Sequence, residues 1–498
     1  MMRAPRRLRL EAGELACTVA DRVAIGGRFA GLIASAGDDG STVLRALVAR
    51  AGSLEVIEAE LVAGVAEYPA LTPVVPSAAW YEREIHDLFA IEPLGHPRLD
   101  PLVLPLAGQG PRPRPGASAD VGTVVLDTSA LASYVTGQGL FTIPYGPVRS
   151  GVFESVEYLV ESYGEDIPHV RTRVYYKHRG IERRFGDLDP GDGVLLAERV
   201  EGTASVAHAM AFSQAVEGLA GIDAPPVAAL VRVVHAELER VANHLDSVIR
   251  HTEGAGQAVA LARMSLHKER LMRLRAKLCG HRFGRGVVIP GGVTGRPLLS
   301  TTDTLQAVAT LELAIADDAR VLMTTPSFLD RLRRTGVVPA EIAAAHGALG
   351  PVGRGSGLSE DVRLDRPYGA YGFLSFEPVD PQESGDALAR QLVRLDEIAG
   401  AFKLVRQALH ELGEPGGATA WRNELPPSDG VGLGWVEAPQ GELLYLVEIS
   451  DGRITRVKPR TASFHNLAFL PEAFRGDILT DFVFIEASFG VSMAGVAG

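Results

Sequence analysis

Cysteine is nearly missing: Cys17 and Cys279 are the only two in 498 residues. Two thiols cannot make a disulfide framework, a zinc site or an iron–sulfur cluster, so no cofactor is expected on this chain itself. The count fits a reduced, cytoplasmic setting. No uncharged apolar run reaches the roughly 18 residues that a membrane-spanning helix needs, so any membrane link is expected to come through partner subunits. Arg3, Arg6, Arg7 and Arg9 have no apolar stretch behind them, which argues against a secretory signal. A long basic block is absent too, and the formal net charge is −12; nucleic acid is therefore not an expected partner. What remains is 46% hydrophobic and 22% charged residues, an ordinary globular balance in a chain long enough for two or three domains.

The expected fold class is α+β, with a small N-terminal α+β domain over 1–105. In it STVLRALVAR and SLEVIEAELV read as strands. Trp80, Tyr81, Ile85, Leu88 and Phe89 then recur at helical spacing, which predicts an amphipathic helix on a small sheet, closed by Pro93 and the Gly95-His96-Pro97 turn. Residues 106–140 are rich in Pro, Gly and small side chains and read as a linker. A large domain follows over 141–498. VEYLVESYG and VRTRVYYKH predict a β-hairpin around Gly164-Glu165-Asp166. Four long periodic stretches, beginning at residues 227, 260, 304 and 386, predict an antiparallel helix bundle, with a C-cap at Gly280 after the second. GELLYLVEISDGRITRVKPR predicts a peripheral hairpin turning at Asp451-Gly452, and a last helix is expected at about 471–482.

Chemistry concentrates between Tyr175 and Phe212. His178 and Glu182, four apart, would share a helix face as a proton relay or as a simple pair. Arg179 stands between them, and a second helical segment is expected to open at Glu198-Arg199. Arg199 and Glu201 would pair in or beside a cavity, and His208, seven residues on, would face the same side of a helix. Asp361 and Arg363 suit a loop-fixing salt bridge or a cavity wall. Glu237, Arg240 and His244, at spacings of three and four, predict an ion-pair network. Cys279, at a helix end, reads as inert packing.

The segment W-Y-E-R-E-I-H-D-L-F, followed by Gly95-His96-Pro97, resembles the C-type subunit of respiratory complex I and its hydrogenase relatives. In that family it helps dock the subunit against its large partner. Further on, GPVRSGVFES, HRGIE, the ERV segment at 198–200, ELERVANHL, GLSEDVRLDRPYGAY, GWVEAPQGELLYLV and RVKPRTASFHNLAFLPEAF follow in order. They resemble the large subunit of membrane-bound group 4 [NiFe] hydrogenases and the D-type subunit of complex I. Both halves in one chain resemble the formate hydrogenlyase and hydrogenase-4 large subunits.

The family's four nickel–iron cysteines fall on Glu201, Ala204, Ser492 and Gly495, and the early histidine of GPxH falls on Arg149. A carboxylate, a methyl, a hydroxyl and a hydrogen do not replace soft thiolates, so no nickel–iron centre and no hydrogen activation are expected. The complex I relatives imply a quinone headgroup in the vacated cavity, held by a histidine at the HRG position, here His178, and by a tyrosine where this chain has Glu201. The resemblance also implies partners: an iron–sulfur small subunit like the B-type subunit of complex I, a ferredoxin-like subunit and antiporter-like membrane subunits. The chain would lie peripherally on the inner face of the membrane. It would support electron transfer from the partner's cluster to a quinone-type acceptor, with proton uptake through His178 and Glu182, Glu201 as a further catalytic residue, and the cavity lined by Arg179, Arg199, His208, Asp361 and Arg363. The alternative is a non-catalytic scaffold that couples a partner dehydrogenase to an ion-translocating arm.

Overall fold

The computed structural model describes residues 5–37, 39–106, 112, 114–115, 135, 137–149, 154–414 and 420–498; most of the expected linker lies outside them. Strands β1 (Arg6–Leu10), β2 (Arg28–Ala36), β3 (Thr42–Arg50) and β4 (Ser53–Leu61) form one sheet in the order β1-β4-β3-β2. β1 runs parallel to β4, and the other pairs are antiparallel. The near-continuous apolar runs of β2 and β3 follow from burial on both faces. Alternate residues Leu44, Ala46 and Val48 join a core with helices α1 (Leu15–Ala24) and α2 (Ala79–Phe89). Their neighbours Leu47 and Ala49 join the core of the rest of the molecule, as the period of two dictates. The predicted helix thus stands as α2, but its end differs. Ala90 closes it in a left-handed conformation, φ 57°. Pro93 lies beyond, in β6 (Glu92–Leu94), which pairs in parallel with β5 (Glu67–Pro69).

β7 (Phe141–Tyr145), β8 (Glu157–Ser162) and β9 (His169–Arg173) form an antiparallel sheet, so the expected hairpin carries a third strand. Helices α3 (Pro190–Ala197), α4 (Ser205–Ala220), α5 (Pro226–Gly254) and α6 (Ala258–Cys279) follow. Gly280 caps α6 with φ 80°. A two-strand ribbon, β10 (Val288–Ile289) and β11 (Gly292–Val293), leads to α7 (Thr301–Leu322). Short helices α8 (Pro326–Leu332), α9 (Ala340–His346), α10 (Gly350–Arg354) and α11 (Val362–Asp365) precede α12 (Ala387–Leu412). The long helices α5, α6, α7 and α12 form the bundle, with Leu230, Val231, Val234, Leu238, Val241, Leu245 and Val248 of α5 buried in it.

β12 (Gly430–Ala438), β13 (Gly441–Ser450) and β14 (Arg453–Arg460) make an antiparallel sheet against α4. Side chains on Gly432 and Gly434 would overlap the carbonyl oxygens of Ala215 and Ala211. Glycine on the strand facing alanine on the helix lets the two backbones touch. The tail holds α13 (Ala462–Leu467), α14 (Phe482–Phe489) and α15 (Ala494–Ala497). The helix expected at 471–482 is two short 3₁₀ turns separated by Gly476, φ 86°, and the α-helical residues begin at Phe482. Among the described residues no helix is long and apolar enough to cross a membrane.

Candidate functional site

The segment from Tyr175 to Glu198 is not the helix pair that its spacing suggests. His178 to Gly180 run extended or turned between two 3₁₀ turns, Tyr175–Lys177 and Arg183–Phe185. Gly180 takes φ 60°, so His178 and Glu182 do not share a helix face. Glu198 ends α3 rather than opening a helix, and Glu201 lies in the turn before α4.

His178 and Arg179 are straps. His178 Nδ1–H donates to the Ala497 carbonyl at 2.6 Å. The Arg179 guanidinium donates to the carbonyls of Arg199 (3.1 Å), Val200 (2.5 Å) and Ala494 (3.0 Å), while its backbone N–H donates to Gly498. These bonds draw the turn carrying Glu201 against the turn carrying Gly495, two of the four positions on which the family's nickel–iron cysteines are expected to fall. A Cβ built on Gly495 would lie 2.5 Å from Glu201 Oε2. Ala204 is buried, and the Ser492 hydroxyl donates to Glu154 at 3.0 Å.

Glu201 is 2% exposed and held on both oxygens. Gln440 Nε2 and the Thr203 hydroxyl (2.9 Å) donate to Oε1, and His208 Nε2 lies 3.5 Å from Oε2. His208 Nδ1 is 2.6 Å from the Tyr445 hydroxyl. Burial, with the Glu201 and Glu182 charges adding, pushes that hydroxyl well above its ordinary pKa, so it remains a donor. Both contacts are satisfied when Tyr445 donates to Nδ1 and Nε2–H faces Glu201. The expected juxtaposition of Glu201 and His208 is therefore present, made by the turn before α4 rather than by one helix.

Glu182 belongs to a neighbouring ionic group. Arg456 reaches it at 2.6 Å, and Lys458 reaches both Glu182 (2.7 Å) and Glu84 of α2 (2.7 Å). Burial alone would raise the Glu182 carboxyl, but Lys458 and Arg456 outweigh it and hold the carboxyl below its ordinary value. Glu84, buried with one cation and facing Glu182, is raised. A cleft of about 10 Å³, lined by Glu84, Glu182, Val200, Lys458 and Gly495 among others, joins this group to the Glu201 contact.

The remaining expected residues scatter. Arg199 is half exposed and turns back on the Leu195 carbonyl, with Glu198 rather than Glu201 beside it. Arg363 is wholly inside an ion network, bonded to Asp361 (2.7 Å) and Glu237 (3.1 Å). Arg354, Glu397, Arg240 and His244 extend that network across α5, α10 and α12, as the spacing of 237, 240 and 244 predicts. Asp361 does line a cavity, of about 220 Å³, but with Arg28, Glu360 and Trp435 rather than Glu201.

Two open cavities flank the Ser492 side. One, about 240 Å³, is lined by Tyr145, Arg149, Glu154, Ile249, Val483 and Met493, among others. The other, about 220 Å³, has Glu154, Thr203, Asn243, Asp246 and Ser492 in its wall. They share Glu154, Asp246, Arg250 and Val491. Arg149 is fixed by a bidentate bond to Glu486 (2.8 and 2.7 Å) over the rings of Tyr145 and Tyr158. The sequence did not single out Glu154, Gln440, Tyr445, Lys458 or Glu84 as site residues, although the quoted motifs contain all five. The residues at the four vacated positions do not fit a nickel–iron centre: none supplies sulfur, and the Glu201 carboxylate packs against Gly495.

Comparison with known proteins finds relatives of both parts of the chain. The family model described as respiratory-chain NADH dehydrogenase, 49 Kd subunit, matches residues 255–428 and 418–497. The model for the 30 Kd subunit matches residues 41–113. Membrane-bound hydrogenase subunit alpha of Pyrococcus furiosus is 31% identical over 371 residues, covering 70% of this chain and 84% of the relative. A D-type subunit of the NADH-quinone oxidoreductase of Anaeromyxobacter dehalogenans is 32% identical over 355 residues, covering 70% and 93%. Formate hydrogenlyase subunit 5 of Escherichia coli is 28% identical over 440 residues, covering 85% and 76%.

Proposed function

From the premise that the chain belongs to the family of the respiratory NADH dehydrogenase 49 Kd subunit and its membrane-bound hydrogenase relatives, with the 30 Kd subunit fused ahead, we propose that it is the large subunit of a membrane-associated oxidoreductase complex that reduces a quinone-type acceptor without a nickel–iron centre. A partner subunit's iron–sulfur cluster would supply the two electrons in successive one-electron transfers. The quinone headgroup occupies the paired cavities beside Arg149 and Glu154, and reduction to the quinol takes up two protons there. Glu201 delivers protons through the Thr203 hydroxyl, which bonds Glu201 and also lines one of the cavities. His208 and Tyr445 stand behind Glu201 and hold its carboxylate in place. The observation that carries this reading is a buried acid standing at the first vacated ligand position with a hydroxyl path to an open cavity. Arg149 supplies the fixed cation for a headgroup carbonyl, and His178 serves as a strap rather than a headgroup ligand.

One observation favours a scaffold instead: at two of the vacated positions the Glu201 carboxylate packs directly against Gly495 and leaves no space between them. A single experiment separates the readings. In the complex purified through a tag on this chain, the clusters are reduced with dithionite and then reoxidised with a water-soluble quinone analogue. Reoxidation slowed by Glu201→Gln, Thr203→Val and Arg149→Met supports the acceptor site. Reoxidation unchanged in all three leaves the scaffold.

A further inference from the structure

An open cavity of about 1090 Å³ lies away from this site, between the N-terminal sheet and the β12–α4 layer. We propose that it binds an organic phosphate of nucleotide size. Arg6, Arg7, Arg22, Arg50 and Arg366 converge on it, against the single carboxylate of Glu55 in its lining. That excess stands out in a chain whose formal net charge is −12.

Glu55 is already engaged: Arg22 bonds it at 2.8 Å, and Arg6 lies 3.7 Å away. Arg7 gives one N–H to the Val431 carbonyl at 2.9 Å, with Glu58 3.8 Å distant. Arg50 and Arg366 have no carboxylate within ion-pair distance among the described residues. Arg366 is half-buried, with its guanidinium 5.0 Å over the Trp435 ring. Its neighbour Asp365 is fixed from below, because the β3–β4 turn packs Gly52 directly onto the Asp365 carbonyl. A half-buried guanidinium without an anion carries an uncompensated desolvation cost. Arginine forks match phosphate oxygens in pairs.

Part of the wall is apolar: Val48, Leu54, Leu219 and Leu433 line it beside the arginines. A bare phosphate would leave that wall and most of the volume unused, whereas a molecule with a flat base at one end and phosphates at the other meets both. A crevice between two layers of the fold is also where small-molecule sites concentrate.

The test is calorimetric titration of the full-length chain with ATP, ADP and inorganic pyrophosphate. Nucleotide should bind at least tenfold tighter than pyrophosphate. Arg50→Gln and Arg366→Gln together should weaken nucleotide binding by about tenfold per arginine. Leu219→Trp, which fills the apolar wall and leaves the arginines in place, should weaken nucleotide but not pyrophosphate, and covers the case in which the double variant misfolds. Equal affinity for nucleotide and pyrophosphate, no binding of either, or nucleotide affinity untouched by both variants would overturn the proposal. None of these residues belongs to the acceptor site, so failure here leaves that reading intact.

Discussion

Glu201 and Gly495 meet with no space for another atom: a Cβ on Gly495 would lie 2.5 Å from Glu201 Oε2 and 3.4 Å from Thr461 Cγ2. Gly495→Ala is therefore expected to destabilise the chain by about 1–3 kcal/mol, the usual cost of overpacking a filled interior. Glu201→Ala removes the acceptor of Gln440 and Thr203 but opens room. The double variant should be more stable than the sum of the single losses predicts, because one change relieves the other. Urea unfolding of the four proteins gives the coupling, and strict additivity would mean that the contact is not made.

Stability should fall on both sides of mildly acidic pH. Burial opposes ionisation of Glu442, but Arg28 and Arg460 prevail and hold its carboxyl at about 2. Its contribution is complete above the ordinary carboxylate range and is lost as pH drops towards 2, about 3 kcal/mol in all. Glu239 goes the other way. Burial pushes it up to about 7 against Arg275 and the N–H groups of Val206 and Ala207, which it caps at the start of α4. Its proton is favoured by folding, so that stability is complete below about pH 4.5 and lost as pH rises through about 7. Glu437, raised to about 7 by burial and Asp361, adds to the same alkaline arm. Unfolding curves between about pH 3 and 8 should show Glu239→Gln flattening the alkaline arm by roughly half while leaving the acid arm.

Tyr81→Phe tests the seam between α2 and the tail. The Tyr81 hydroxyl lies 2.8 Å from His465 Nδ1, whose Nε2–H donates to the His346 carbonyl at 2.7 Å. Burial, helped by Arg460, pushes His465 down to about 3, so its ring is neutral and Nδ1 needs a donor. Losing the hydroxyl leaves that nitrogen orphaned, at a cost of about 1–3 kcal/mol, read as a lowered denaturant midpoint with an unchanged slope. A midpoint equal to wild type would show that the bond contributes nothing.

Lys458→Met should be far more damaging than an apolar substitution in the core suggests. It leaves Glu84 and Glu182 facing each other with only Arg456 near. Removing one partner of a buried ionic group costs about 3–5 kcal/mol. Adding Glu84→Gln should recover part of the loss, measurable in the same unfolding assay; a double variant no better than Lys458→Met would place the damage elsewhere.

Periodicity carried most of the fold. β3, β4, α2, the four bundle helices, the Gly280 cap and the Asp451-Gly452 turn, with φ of 51° and 69°, were all legible because each depends on neighbours within a few residues. The errors have a common cause. A spacing of four between His178 and Glu182 imitates a helix, yet Gly180 sits between them, and Gly476 likewise interrupts the helix expected at 471–482. Both glycines adopt positive φ, which a reading of apolar and charged spacing passes over. Glu201 was legible as a departure from a ligand position, but its environment was not. Gln440 stands 239 residues away in sequence, and no local pattern announces such a contact. Arg199, next to the buried Glu198, faces solvent, a distinction of one residue in a turn.

Lys458 binds a carboxylate from each of two regions of the chain: Glu84, within the match to the 30 Kd family model, and Glu182, in the part that follows it. Carried on separate polypeptides, these groups would have to find each other in dilute solution, and any excess of one would sit with its charge unanswered. Continuous translation fixes their stoichiometry at one to one and makes the encounter first-order, independent of cellular concentration. Fusion thus removes an assembly step at the point where a missing partner would do most harm.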